Sequence, residues 1–149
     1  MSLQEKVMVK IKEAMKSKDK VALESFRAIK SEILLVQTKS GASVELTNDE
    51  EIKLLQKLVK QRKDSAILYK EQGRDDLADP ELAQVHVIAQ FLPEQMSEGD
   101  LKNSVAEIIE KIGATSMKDM GKVMGLASKQ LAGKADGKAI STIVKQLLQ

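Results

Sequence analysis

Apolar residues return every three or four positions along nearly the whole chain, with charged residues between them. That period belongs to helices that bury one stripe and leave the other face in water. Leu3, Val7, Ile11 and Ala14 predict a first helix over 3–17. Asp19 can cap a second, running to about Lys39 on the line Ala22, Phe26, Ile29, Ile33 and Val36. Ser40-Gly41-Ala42-Ser43 reads as a loop. Thr47 with Glu50 has the spacing of a capping box, so a long helix is expected to about Gln72, closed by Gly73. Its inward line is Ile52, Leu55, Val59, Arg62, Ala66 and Tyr69. Asp79-Pro80 is the expected start of the next helix, with Leu82, Val85, Ala89 and Leu92 facing in and Pro93 ending it. Ser97 and Asp100 open a helix lined by Leu101, Val105, Ile108 and Ile112 and closed by Gly113.

The stretch 116–149 predicts a helix–turn–helix pair. Ser116 and Asp119 are spaced as a capping box, and Met117, Met120, Met124, Ala127 and Leu131 share one helical face. Lys118, Lys122, Gly125 and Lys129 fall on another face of that helix. A Gly-Lys-Ala-Asp-Gly turn at 133–137 carries Lys134, and Asp136 caps a last helix that begins with Lys138 alongside. Ile140, Ile143, Val144, Leu147 and Leu148 form that helix's buried side. Nowhere do β-branched residues cluster at alternating spacing. The expected class is all-α and multihelical. It has two helical subdomains, 1–95 and 96–149, divided at the break near Pro93–Ser97.

Charge changes this picture at one place. Residues 1–96 carry 16 basic and 16 acidic groups, whereas 116–149 carries six lysines against Asp119 and Asp136. A local surplus matters more to an anionic partner than the overall +2. A lysine row is commonly only a solvated face. Gly121 and Gly125 add to it: each glycine inside a helix costs about 1 kcal/mol against Ala. Two explanations stand open, close packing of the last helix and close approach of a partner's backbone. The three aromatics end at Phe91, so the tail has none on which to stack bases.

Other chemistry is sparse. There is no cysteine, and His86 is the single histidine; it reads as a structural or surface residue. A zinc site lacks its usual ligands. Asp75, Asp76 and Asp79 read as solvated acids. No metal, cofactor or catalytic residue is therefore assigned. Arg62 interrupts an apolar stripe and must find acceptors, with Glu24, Glu32 and Asp64 as candidates. It is read as an inter-helix ion pair, or as a small anionic groove shared with Arg27 and Arg74. No apolar run approaches the roughly 18 residues that span a bilayer, and the N-terminus lacks a secretory pattern, so cytoplasmic residence is the expectation.

Certain segments carry a resemblance. Asp119-Met120-Gly121-Lys122-Val123-Met124 and Gly133-Lys134-Ala135-Asp136-Gly137, before Val144-Lys145-Gln146-Leu147, resemble the YqeY family. They are similar also to the tail domain of the B subunit of the tRNA-dependent amidotransferase. Lys60 to Ser65, Gly73-Arg74 with Asp76-Leu77, and Phe91-Leu92-Pro93-Glu94-Gln95 extend the YqeY resemblance over nearly the whole chain. Gln84 departs from it, where the family often has Glu. The resemblance implies an RNA-binding role for a tRNA or amidotransferase-related accessory protein, with tRNA or a translation-related protein as partner. It also implies the family label of carbon–nitrogen ligation with glutamine as amide donor. The residues themselves offer neither a nucleophile with its base nor a phosphate cradle. On this reading the RNA-binding candidates are Lys118, Lys122, Gly125, Lys129, Lys134 and Lys138. The rivals are a helical adaptor that docks a partner enzyme and an enzyme whose site is not recognisable.

Overall fold

The computed structural model describes residues 1–39, 41 and 45–149. Three of the four residues expected as a loop, Ser40, Ala42 and Ser43, lie outside them. The described residues form seven α-helices and two single 3₁₀ turns, with no strand among them. The chain divides into two compact units, Met1–Leu92 and Pro93–Gln149. The all-α, multihelical class is as the spacing predicts.

In the first unit, α1 (Leu3–Ser17) starts at a capping box. Ser2 Oγ accepts from the Glu5 amide at 3.2 Å, and the Glu5 carboxylate accepts from the Ser2 amide at 3.0 Å. α2 (Lys20–Lys39) is capped by Asp19, which accepts from the Ala22 amide at 3.0 Å. α3 (Asn48–Glu71) has the expected Thr47–Glu50 box at 3.2 and 2.7 Å. Gly73 then reverses the chain at φ +70°, a backbone region that suits glycine.

The start of α4 differs from expectation. The helix spans Asp75–Ile88, so Pro80 lies inside it rather than at its first position. Once Gly73 has turned the chain, the Arg74 carbonyl accepts from Leu77 and Ala78 at 3.1 and 3.0 Å. Asp75 and Asp76 then sit in the first turn, where the helix dipole favours acids. Pro80 is exposed, so the carbonyl it leaves without an amide partner can turn to water.

The buried face of α3 is also broader than one line. Leu54, Leu55, Leu58 and Ala66 are buried, while Ile52, Val59 and Tyr69 are half-buried. α3 packs against both α4 and α2, so two neighbours cover a wide arc. α4 in turn touches α2 and α3. Its fully enclosed residues are Ala78 and Ile88, whereas the expected Leu82, Val85, Ala89 and Leu92 are half-buried. Phe26 and Phe91 meet edge to face at 5.9 Å across this core.

Arg62 is half-buried and satisfied, though not by the carboxylates expected. Its Nε donates to Gln84 Oε1 at 2.9 Å and its Nη1 to the Leu58 carbonyl at 3.1 Å. Gln84 Nε2 donates onward to Glu24 at 3.3 Å. Glu32 and Asp64 are taken instead by Lys57 and Lys60, at 2.6 and 2.8 Å. Gln84 therefore joins α3 to α2, one face of its amide accepting and the other donating. A Glu here would keep the first contact but set a second carboxylate beside Glu24. Arg62→Ala leaves Gln84 without a donor and is expected to cost about 1–2 kcal/mol. Urea unfolding measures this, and an unchanged midpoint would show the network to be idle.

In the second unit, α5 (Glu98–Ile112) is capped by Ser97, which accepts from the Asp100 amide at 3.1 Å. It ends at Gly113, φ +69°. α6 (Met120–Gln130) and α7 (Gly137–Leu148) follow, and the three helices pack mutually. Val105, Val123, Ala127 and Val144 are fully enclosed, with Leu101, Ile108, Leu131, Ile140, Ile143 and Leu148 around them. Val123 was not on the expected face of α6, whereas Met117 was and is 41% exposed. Ile112 is likewise exposed, because it is the last residue of α5 and Ile109 makes the packing contact one turn earlier.

Candidate nucleic-acid interface

The candidate face is built on α6 and on the turn that follows it. Ser116 does not form the expected capping box. Its Oγ accepts from the Lys118 amide at 3.4 Å, and Asp119 reaches back to the Thr115 amide at 3.0 Å. Residues Met117–Asp119 consequently make a 3₁₀ turn, and α6 begins only at Met120. Lys118 is thus set on the turn before α6, not on the helix face with Lys122 and Lys129.

Lys122, Gly125 and Lys129 do share a face of α6, within about 60° of arc at helical pitch, and all three are exposed. A Cβ built on Gly121 or Gly125 meets nothing within 4 Å. Close packing of α7 therefore does not explain either glycine. Gly125→Ala should accordingly stabilise α6 by about 1 kcal/mol through helix propensity alone. A melt shows this directly; a lower melting temperature would mean that the glycine meets something inside the chain.

The turn is held more firmly than its sequence suggests. The Lys134 amide donates to the Leu131 carbonyl at 3.0 Å, and the Lys134 carbonyl accepts from the Met96 amide at 2.9 Å. Gln95 Nε2 donates to the Gly133 carbonyl at 2.6 Å and to the Pro93 carbonyl at 2.9 Å. Gly133 itself is buried, at φ +78°. Two peptide carbonyls beside Lys134 are thereby fixed by the segment that precedes α5. Sequence reasoning treated Pro93–Ser97 only as a break and missed this role. The signal was present in that Phe91-Leu92-Pro93-Glu94-Gln95 and Gly133-Lys134-Ala135-Asp136-Gly137 both stand out as motifs, and the first holds the second.

Asp136 accepts from the Ala139 amide at 2.6 Å, so the N-terminus of α7 already has a carboxylate on it. Lys134 and Lys138 are exposed to either side of that cap. Anion attraction on this side therefore comes from the lysines rather than from free helix amides.

The arginines of the first unit lie on separate elements. Arg27 is exposed on α2, and Arg62 is engaged by Gln84 and Leu58. Arg74 forks onto Asp76 with both Nε and Nη2, at 3.0 and 2.9 Å. This contact raises the Arg74 pKa and holds Asp76 below the usual carboxylate range. His86 is exposed on α4. Among the described residues no group of three or more His, Cys, Asp or Glu could hold a metal ion, and no helix is long and apolar enough to cross a membrane.

Comparison with known proteins places this architecture. The chain is 28% identical over 142 residues to "Altered inheritance of mitochondria protein 41, mitochondrial" of Pyrenophora tritici-repentis, which is 93% of this chain and 76% of that protein. To the protein of the same name from Clavispora lusitaniae it is 32% identical over 108 residues, 71% of this chain and 62% of the relative. It is also 28% identical over 121 residues to a glutamyl-tRNA(Gln) amidotransferase subunit of Thermococcus gammatolerans, 78% of this chain but only 19% of that relative. An alignment over 121 residues is longer than the second unit, so the amidotransferase likeness runs into the first unit as well. A family described as "Yqey-like protein" matches residues 4–148, end to end through both units, and the chain belongs to that family.

Proposed function

We propose that this chain is an accessory protein of glutamine-dependent tRNA amidation, and that its second unit binds folded tRNA through phosphates. The observation that carries the reading is the exposed Lys122–Gly125–Lys129 face, with open space over Gly125 between its lysines. Two ammonium groups two turns apart on a rigid helix, about 10 Å along its axis, suit a phosphate backbone. The glycine gap lets that backbone come close. The likeness to a glutamyl-tRNA(Gln) amidotransferase subunit supports tRNA as the RNA in question. Lys118, Lys134 and Lys138 extend the basic surface. The second unit contains neither an aromatic to stack a base nor an arginine to fork onto a guanine edge. Recognition therefore follows RNA shape and charge rather than sequence.

On this reading the chain performs no amide transfer or ATP hydrolysis itself, and the carbon–nitrogen ligase label belongs to a partner that it serves. Cytoplasmic residence goes with it, and the mitochondrial names of two relatives set the other translation compartment beside it. A second reading is an adaptor that docks a partner enzyme through the first unit. It is supported by Ile67 and Leu68 on α3, which are 55% and 59% exposed.

The discriminating experiment is a pull-down on the full chain, analysed separately for RNA and for protein. Enrichment of tRNA that resists added protein competitor supports the first reading. Capture of a protein after nuclease treatment, with no RNA enriched beforehand, supports the second. Gly125→Ala adds a further check: it should stabilise the chain yet weaken tRNA binding.

A further inference from the structure

The first unit carries a seam that its own core uses only in part, at Ile11. Met8 and Met15 fall seven residues apart on α1, and Met1 stands seven before Met8, just ahead of the helix; with Gln4 and Ile11 between them this is the a and d spacing of a heptad. Val7 and Ala14, on the adjoining side of the helix, are buried in the unit's own core. The methionines point elsewhere: Met8 is 37% and Met15 55% exposed. Beside them runs an open groove of about 480 Å³, whose walls include Met1, Met8 and Val9 and whose rim includes Glu5 and Glu45. Unbranched thioether side chains adapt to a facing helix more readily than branched ones do.

The charges along the seam indicate which helix that is. The solvent-side positions flanking it, e in the heptad, are Glu5 and then Lys12. We propose that α1 pairs antiparallel with α1 of a second copy of this chain about a two-fold axis near Met8 and Val9. Antiparallel helices bring e against e, so Glu5 of each copy meets Lys12 of the other and the complementarity is satisfied twice. The same register sets Lys16 of one copy beside the groove rim where Glu45 lies. Parallel pairing would set e against g, and the g positions are the buried Val7 and Ala14. Lys12 and Lys16 have no ion-pair partner among the described residues, whereas Lys10, on the far side of the helix, is tied to Glu13 at 3.1 Å. Such a dimer would form whether or not the second unit binds tRNA.

The seam is short, two heptads over about 20 Å. The interface is therefore of the small class, with a dissociation constant of about 10–100 µM. Sedimentation of the full chain from about 5 to 500 µM, around that range, should show reversible dimerisation. Met8→Asp with Met15→Asp, both at exposed positions, should leave the chain monomeric throughout with its circular dichroism melt unchanged. Lys12→Glu faces Glu5 with a like charge and should weaken association about tenfold or more. Adding Glu5→Lys to that variant exchanges the signs and should restore dimerisation, even though the Ser2–Glu5 cap is lost. A parent chain that stays monomeric, or a dimer indifferent to Met8 and Met15, overturns the proposal and leaves the seam to a different protein. A dimer that tolerates Lys12→Glu overturns the antiparallel register.

Discussion

A double substitution, Lys122→Ala with Lys129→Ala, is expected to weaken binding of every folded tRNA about equally, by roughly thirtyfold at about 0.15 M salt. Both side chains are exposed on α6 and neither enters the core of the second unit, so the fold should be untouched. The loss comes from counterions. Each phosphate neutralised by an ammonium releases nearly one bound cation, so removing two lysines should lower the slope of log affinity against log salt by up to about two. Because phosphates carry no sequence information, discrimination among tRNAs should not change. Filter binding across a salt series measures both quantities. A double variant with the parent's affinity and slope would remove α6 from RNA binding and favour the adaptor reading.

The second large effect is on stability. Val123 is fully enclosed between α5 and α7, so Val123→Asp would bury a carboxylate that has no partner. Breaking an apolar core with an uncompensated charge costs about 3–5 kcal/mol. A unit as small as Pro93–Gln149 has little more than that to lose. The variant should therefore unfold the second unit and spare the first. The aromatics make the two separable, since Phe26, Tyr69 and Phe91 all lie in the first unit. Tyr69 fluorescence should keep its unfolding transition while the helical signal at rest drops by about a third. If the Tyr69 transition falls with it, the two units unfold as one.

These outcomes depend on features that differ in how far a sequence can show them. Helix ends were largely legible, because a cap is a contact over three or four residues. Thr47 with Glu50, Ser97, Asp136, and the left-handed Gly73 and Gly113 all stand where their side chains or backbone freedom require. Asp79-Pro80 misled because proline is tolerated in an early helical turn when its neighbours are exposed, so it is a weaker marker than the Gly73 reversal before it. Ser116 and Asp119 misled for a related reason. The right spacing was present, but each side chain found the amide one residue before the one expected.

Faces were less legible than ends. Val123 is buried because the enclosed arc of α6 is chosen by where α5 and α7 lie, which no local period specifies, and Met117 is exposed because it falls on the 3₁₀ turn before α6. Arg62 shows the same limit in polar form: its need for an acceptor was readable, but the choice of Gln84 depends on α4. For the candidate site, the lysines and glycines of α6 were visible as a pattern. The openness around Gly121 and Gly125 was not, nor was the clamp from Gln95 and Met96 onto the turn at Lys134. Both depend on which segments meet, and those segments are far apart in the chain.

The measurement that bears most directly on the lysine face is equilibrium binding of the unaltered full chain to one folded, purified tRNA as salt is raised. That face predicts saturable binding whose log affinity falls linearly with log salt at a slope of about −3 to −4, as about four neutralised phosphates require. Absence of binding at low salt, or an affinity that salt leaves unchanged, would contradict it.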